Sequence, residues 1–170
     1  GISLDELGIS LVNIGSTGFE NVAQIFHNDR IKRKCAIITD LDSAIANTTI
    51  SATDSERKKK YKKKMLGSQE KGLARRTKLD EFTSSNIWIN VFYAIHTFEV
   101  DFIMAENINE VIKLCDVVYT EPTTLETSKS DIQSGDVSLY GKRILTMANN
   151  QGKGWFSILL SGELTFKTKI

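Results

Sequence analysis

Cys35-Ala36-Ile37-Ile38-Thr39-Asp40-Leu41-Asp42 is the stretch on which the fold turns. A continuous apolar run without alternation suits a short strand buried on both faces, as in a parallel sheet covered by helices. The run stops at two aspartates separated by one residue. In open α/β sheets, ligands bind outside the carboxyl ends of the strands. Two carboxylates at such an end can converge on one hard cation, and oxygen donors favour Mg²⁺. The same letters also serve surface turns and helix caps, so their surroundings decide between the readings.

Toward the N-terminus, Ile9 to Ile14 (ISLVNI) is an apolar run ended by Gly15, and it reads as another buried strand. Thr17-Gly18-Phe19-Glu20 fits a capping box, with Thr17 at the N-cap and Glu20 three residues on. Phe19, Val22, Ala23 and Phe26 then recur at helical spacing, which predicts a helix to about Asn28. Strand, helix, strand in that order predicts a parallel pair with a right-handed crossover. Toward the C-terminus, Ser43 to Ser85 is polar and basic and reads as an insertion. Ile87 to Tyr93 reads as the next strand. Glu99 opens a helix whose stripe of Val100, Ile103, Met104, Ile108, Val111, Ile112 and Cys115 is a core face. Asp116 to Gly141 is mixed and polar and holds the only proline, Pro122. Arg143 to Asn149 reads as a short helix. Gly152-Lys153-Gly154 leads into a last helix carrying Trp155, Phe156, Leu159 and Leu160. The expected class is α/β, a mostly parallel sheet flanked by helices with a basic insertion over 43–85.

The chain has 170 residues, 41% hydrophobic and 25% charged, which suits a single domain over 1–170 with a real core. That composition excludes wholesale disorder, collagen and coiled coil. No apolar run approaches the roughly 20 residues of a membrane span, so no membrane partner is expected. Asp5 and Glu6 near the start do not suit the basic region of a signal peptide. Cys35 and Cys115 belong to no metal-ligand spacing and read as reduced thiols of a cytoplasmic protein.

A net charge of +1 argues against a nucleic-acid partner only if charge is evenly spread. It is not. Arg57, Lys58, Lys59, Lys60, Lys62, Lys63, Lys64, Lys71, Arg75, Arg76 and Lys78 make 11 of the 22 basic residues, against only Glu56 and Glu70 in the same stretch. Tyr61, Met65, Leu66 and Leu73 are too sparse to bury a helix face, so the segment reads as an exposed helix or mobile loop. Such a run is either a solvated face or an arm that contacts nucleic-acid phosphates without reading sequence.

Further candidates are fewer. Glu99 suits the first turn of a helix through the macrodipole, and it could also join Asp40 and Asp42 as a third carboxylate. Lys153 stands between two glycines at a helix start, where a cation opposes the dipole and a phosphate could approach the backbone amides. His27 and His96 have no partners at ligand or triad spacing and read as structural. No Ser-His-Asp or Cys-His arrangement, Walker A motif or G-x-G-x-x-G is legible.

Taken together, these pieces resemble a Toprim domain, and more narrowly the C-terminal Toprim half of OLD-family ATP-dependent endonucleases. The resemblance rests on Ile9–Gly15, the helix from Thr17, CAIITDLD ending in Asp40 and Asp42, HTFEVDFIMAEN around Glu99, and GKGWF around Lys153. It implies that Asp40 and Asp42 are metal ligands and that Glu99 is a further ligand or an outer carboxylate. It implies that Lys153 stabilises negative charge on the scissile phosphate. The implied chemistry is phosphodiester hydrolysis or nicking of DNA with Mg²⁺ or Mn²⁺. The arm reading of the basic run takes Arg57, Lys58, Lys59, Lys60, Lys62, Lys63, Lys64, Arg75 and Arg76 as the expected nucleic-acid contacts.

Two departures stand out. Toprim domains open on a strand ending in Glu-Gly, and neither Glu6 nor Glu20 follows an apolar strand here. The family's lysine motif carries Arg after its second glycine, and here Trp155 stands there. The first departure implies a fragment of a longer protein whose N-terminal part would hold the ATP site, the first strand and the regions that make a homo-oligomer. The isolated chain would then be catalytically incomplete.

Two other readings compete. ITDLD also resembles the nucleophile loop of haloacid-dehalogenase-like phosphatases, but Ala44 stands where that family has Thr or Val, and a strand and helix precede the motif here. A non-catalytic nucleic-acid-binding module would rest on the basic segment alone.

Overall fold

The computed structural model describes residues 3–15, 18–165 and 167–169. Cys35–Asp40 forms strand β1 and Ile89–Ala94 forms strand β2. They pair in parallel, from Cys35 opposite Ile89 to Asp40 opposite Ala94. Among the described residues the sheet has two strands. The fold is thus mixed α/β and mostly helical, with a smaller sheet than the apolar runs suggest.

The expected strand at Ile9–Ile14 does not form. Ile9 N–H donates to Leu4 C=O in a local turn, and Leu11 and Val12 are 83% and 67% exposed. An apolar run favours burial, but a strand also needs a ladder partner, and none of the described segments pairs with this one. The helix expected from Thr17 to Asn28 is shorter: α1 covers Phe19–Ala23 and a 3₁₀ turn covers Gln24–Phe26. Its expected N-cap, Thr17, lies outside the described residues. The second strand starts at Ile89 rather than Ile87, because the Asn86 side chain accepts a bond from Trp88 N–H and keeps the chain turning.

Helix α2, Glu56–Thr83, joins β1 to β2 and fills most of the stretch read as an insertion. A parallel strand pair needs a crossover of a dozen or more residues, and α2 supplies it. Ser55 caps it, accepting from Lys58 N–H, and Glu56 suits the dipole in the first turn. The helix is not free in solvent. Leu79 is buried with Ala23, Ile37 and Ile89, and Phe82 packs beside them. Tyr93 donates its hydroxyl proton to Asp80 at 2.7 Å, tying β2 to α2. The opposite face of the sheet stays open, with Ile38 70% and Phe92 57% exposed.

One position sets how close α2 lies to the sheet. Gly72 is buried, and a Cβ there would collide with the carbonyl of Leu41, the residue between the two aspartates. Glycine costs about 1 kcal/mol of helix propensity against alanine, and here it permits a backbone-to-backbone approach.

Beyond β2 the chain is helical: α3 Phe98–Met104, α4 Ile108–Val118, α5 Pro122–Gln133, α6 Val137–Gln151 and α7 Lys153–Glu163. Their apolar faces form the larger core, with Val100, Val111, Leu114, Ile132, Ile144 and Met147 fully buried. Ile45, from the loop after β1, and Met65 of α2 pack into the same core. The single helix expected after Glu99 is broken. Glu106 sits at φ 68°, and the buried Asn107 side chain donates to Phe102 C=O, so the stripe turns a corner between Met104 and Ile108. The polar stretch 116–141 holds α5, with Pro122 in its first turn and the Glu121 carboxylate accepting from Thr123 and Thr124 N–H.

Gly72→Ala tests the close approach. Overpacking costs about 1–3 kcal/mol and exceeds the propensity gain of alanine. Urea denaturation of the variant should give a lower midpoint than the native chain. An equal or higher midpoint would show that the contact at Leu41 is not limiting.

Candidate functional site

β1 ends with Asp40, and the chain then leaves the sheet through Leu41, which is buried, and Asp42, at φ 52°. That left-handed backbone is uncommon outside glycine, and Asn and Asp tolerate it best. It lets both carboxylates face α2. Arg75 lies one helical turn beyond Gly72, so the close approach of α2 delivers its guanidinium to the pair. One nitrogen, Nη2, lies 3.0 Å from Asp40 Oδ1 and 3.4 Å from Asp42 Oδ2 and also donates to the Asp40 carbonyl. The Arg75 side chain is 11% exposed.

The loops after the two strands are stitched together. Leu41 N–H donates to Ala94 C=O at 2.9 Å and Ser43 N–H to Ile95 C=O at 3.1 Å. Gln69 of α2 accepts from Ala44 N–H at 2.9 Å, and His96 Nδ1 lies 2.8 Å from Ser43 C=O. Asp101 accepts from Ile95 N–H at 2.5 Å and from His96 N–H at 3.1 Å. Asp101 therefore fixes the entry to α3 and with it Glu99. Sequence reasoning passed over Asp101 and Gln69, because their partners are backbone groups brought near only by folding. His96 is engaged through Nδ1 with Ser43 C=O and through its amide with Asp101, in keeping with a structural reading.

Glu99 is buried in the first turn of α3 and faces the start of α7. Its Oε1 lies 3.3 Å from Lys153 Nζ, whose side chain is exposed. Gly152, at φ 82°, makes the sharp entry that puts Lys153 at the first position of α7. Asp40, Asp42, Glu99 and Lys153 thus gather at the carboxyl end of the parallel pair as two ion-paired sets. Glu99 does not join the aspartates: among the described residues no group of three Asp, Glu, His or Cys side chains is placed to hold one metal ion.

Charge couples the two sets. Burial, and then the nearby Asp42 charge, raise the Asp40 carboxyl above the ordinary range, and outweigh the opposing pulls of Arg75 and Lys153. A carboxyl raised by both burial and a like charge, at a strand end, marks a functional candidate.

The basic residues divide by partner. Lys58 and Lys62 both pair with the buried Asp54, at 3.0 and 2.6 Å, and Lys59 pairs with Glu56 at 2.7 Å. Arg76 lies beside Asp80 at 3.4 Å and over the Tyr93 ring. Arg75 belongs to the aspartates. Among the described residues Arg57, Lys60, Lys63 and Lys64 are exposed with no carboxylate partner. Cys35 and Cys115 are free thiols, and burial pushes Cys115 up to about 11, which leaves it inert at neutral pH. Among the described residues no helix is long and apolar enough to cross a membrane.

Residues 1–42 match the family described as "Overcoming lysogenization defect protein-like, TOPRIM domain", and the matched segment ends on Asp42. The C-terminal region of the Burkholderia pseudomallei OLD protein has a similar structure, with a TM-score of 0.63 at 20% identity over 98% of this chain and 78% of that one. At that identity the likeness speaks for the fold. No curated protein matches the chain.

Arg75→Gln tests the electrostatic arrangement. Removing the cation takes away an attraction that lowers the Asp40 pKa, so its titration midpoint should rise further, read by carboxyl-carbon NMR. The loss of stability should be smallest at acid pH, where Asp40 is neutral, and should grow as pH rises through its titration range. A pH-independent loss would mean that Arg75 acts by packing alone.

Proposed function

We propose that this chain is the DNA-cleaving Toprim part of an OLD-type nuclease, a metal-dependent endonuclease domain that hydrolyses or nicks phosphodiesters. The observation that carries the reading is the convergence of Asp40 Oδ1 and Asp42 Oδ2 on one cationic nitrogen at a strand's carboxyl end. The family match through Asp42 and the fold likeness support it.

The donor set fits a hard divalent cation. Mg²⁺ is held by one or two carboxylates, with waters and substrate phosphate oxygens completing its shell. Asp40 and Asp42 are two such donors, and their oxygens already surround a position that accepts positive charge. They would hold Mg²⁺ or Mn²⁺, and the bound ion would polarise the phosphoryl group and activate a water. Lys153, exposed at the edge of the site, would place its ammonium against the negative charge that develops on the scissile phosphate. Glu99 serves as the outer carboxylate that aims Lys153, rather than as a ligand. Free cations on one face of α2, Arg57, Lys60 and Lys64 among them, would hold the DNA backbone without reading sequence. Two free thiols suit a cytoplasmic setting.

The test is nicking of supercoiled plasmid with Mn²⁺ or Mg²⁺ by a protein containing this chain. Asp40→Asn and Asp42→Asn should each lower the rate at least about a hundredfold, since even outer partners of metal ligands cost 10–100-fold. Nicking that survives both substitutions would refute the reading. Rapid hydrolysis of a simple phosphomonoester, lost with Asp40→Asn, would favour the phosphatase instead.

A further inference from the structure

Helix α2 sorts its cations by direction. At 3.6 residues per turn, Arg57, Lys60, Lys64, Lys71, Arg75 and Lys78 fall within an arc of about 60° and span about 30 Å of helix. Every position of that arc between Arg57 and Lys78 is a cation. Lys58, Lys59, Lys62 and Arg76 point to other sides, each with a carboxylate partner in the chain, and Lys63 stands alone off the stripe without one among the described residues. Five of the six stripe residues are exposed and, among the described residues, have no ion pair. The sixth, Arg75, is the residue on Asp40 and Asp42, and its buried Nε has no hydrogen-bond partner.

The stripe has a definite end. Lys71, Arg75 and Lys78 line a cleft of about 450 Å³ between α2 and α1, with Gly18, Glu20 and Asn21 on its other wall. Glu20 is the one carboxylate in that lining, so three cations face one anion. Leu79 and Phe82 hold the C-terminal third of α2 against the strands. Its N-terminal half therefore runs past their carboxyl ends, on the side where the aspartates stand.

We propose that this stripe and cleft form a track for a nucleic-acid backbone, leading successive phosphates along α2 to the aspartate pair. The proposal rests on the nuclease reading for what happens at the end of the track. The binding itself needs only the geometry of α2. The ligand class is a polyphosphodiester recognised by charge and spacing, with no base contacts. Lys71 and Lys78 belong to the track. Lys58, Lys59, Lys62, Lys63 and Arg76 do not, although they are part of the same basic run. Arg75 links the two functions, since it lines the cleft and neutralises the aspartates.

Two double variants of the chain remove equal charge from faces of one helix about 110° apart: Lys64→Gln with Lys71→Gln on the stripe, and Lys59→Gln with Lys63→Gln off it. Binding of a fluorescent oligonucleotide, duplex or single-stranded, is followed by anisotropy against salt in EDTA. Each phosphate contact contributes about 0.9 to the salt slope on duplex and about 0.7 on a single strand. The stripe variant should lose about 1.8 or 1.4 of slope respectively, and the off-stripe variant should keep the native slope. Equal losses in both, an unchanged stripe variant, or no salt-dependent binding by the native chain would each overturn the track. None of these outcomes depends on metal or cleavage, so the track and the nuclease reading can fail separately.

Discussion

The close approach of α2 to the backbone of Leu41 is the constraint on which the rest depends. Gly72 has no side chain, so the helix can press against the turn that carries both aspartates. The contacts that α2 makes at the site follow from that distance. Arg75, three residues on, reaches Asp40 and Asp42, and Gln69, three residues back, holds the amide of Ala44. Leu79 continues the same packing down to the strands. A helix kept away by one methyl group would lose register at all of these points together. The cost of glycine in a helix interior is therefore offset by several contacts.

The same contact explains how so small a sheet persists. A two-stranded ribbon is marginal in water unless something packs against it. Here α2 covers one face and α1 closes over it, while the larger core is built by α3 to α7. The loop after β1 and helix α2 reach into the larger core through Ile45 and Met65. The aspartates thus stand at the seam between a sheet unit and a helical unit. The loops there are tied by backbone bonds and by side chains such as Asp101 and His96.

Much of this was legible from residues alone, and the misses have physical causes. The strand at Cys35–Asp40, the aspartates at its end and the buried faces of Val100, Ile103, Val111 and Cys115 follow from patterns that local sequence contains. Partners are not local. The run at Ile9–Ile14 looks like a strand because hydrophobicity reports a wish for burial, not the presence of a neighbouring backbone. The basic run looks solvated because its charges outnumber its apolar residues. Gly72, Leu79, Phe82 and Met65 seat it nonetheless, and no periodicity marks a glycine that matters for its missing atoms. Glu99 and Lys153 each attract notice singly, but only the fold reveals that they pair with each other.

Two carboxylates that α2 neutralises show why Asp40 differs from a structural aspartate. Asp54 is buried, and its carboxylate accepts from Lys62, Ser51 N–H and Lys58, which hold it well below the usual carboxylate range. There two cations serve one anion. At the strand end the ratio is reversed, because Arg75 alone serves Asp40 and Asp42, and Asp40 is raised. A pair chosen for stability alone would follow the first pattern, since an under-neutralised buried charge lowers stability at neutral pH. The second pattern leaves negative charge in excess where the strands end. Positive charge from outside the chain, or a proton, is what relieves it. That asymmetry, within one helix, is a physical reason to place binding at the aspartates and scaffolding at Asp54.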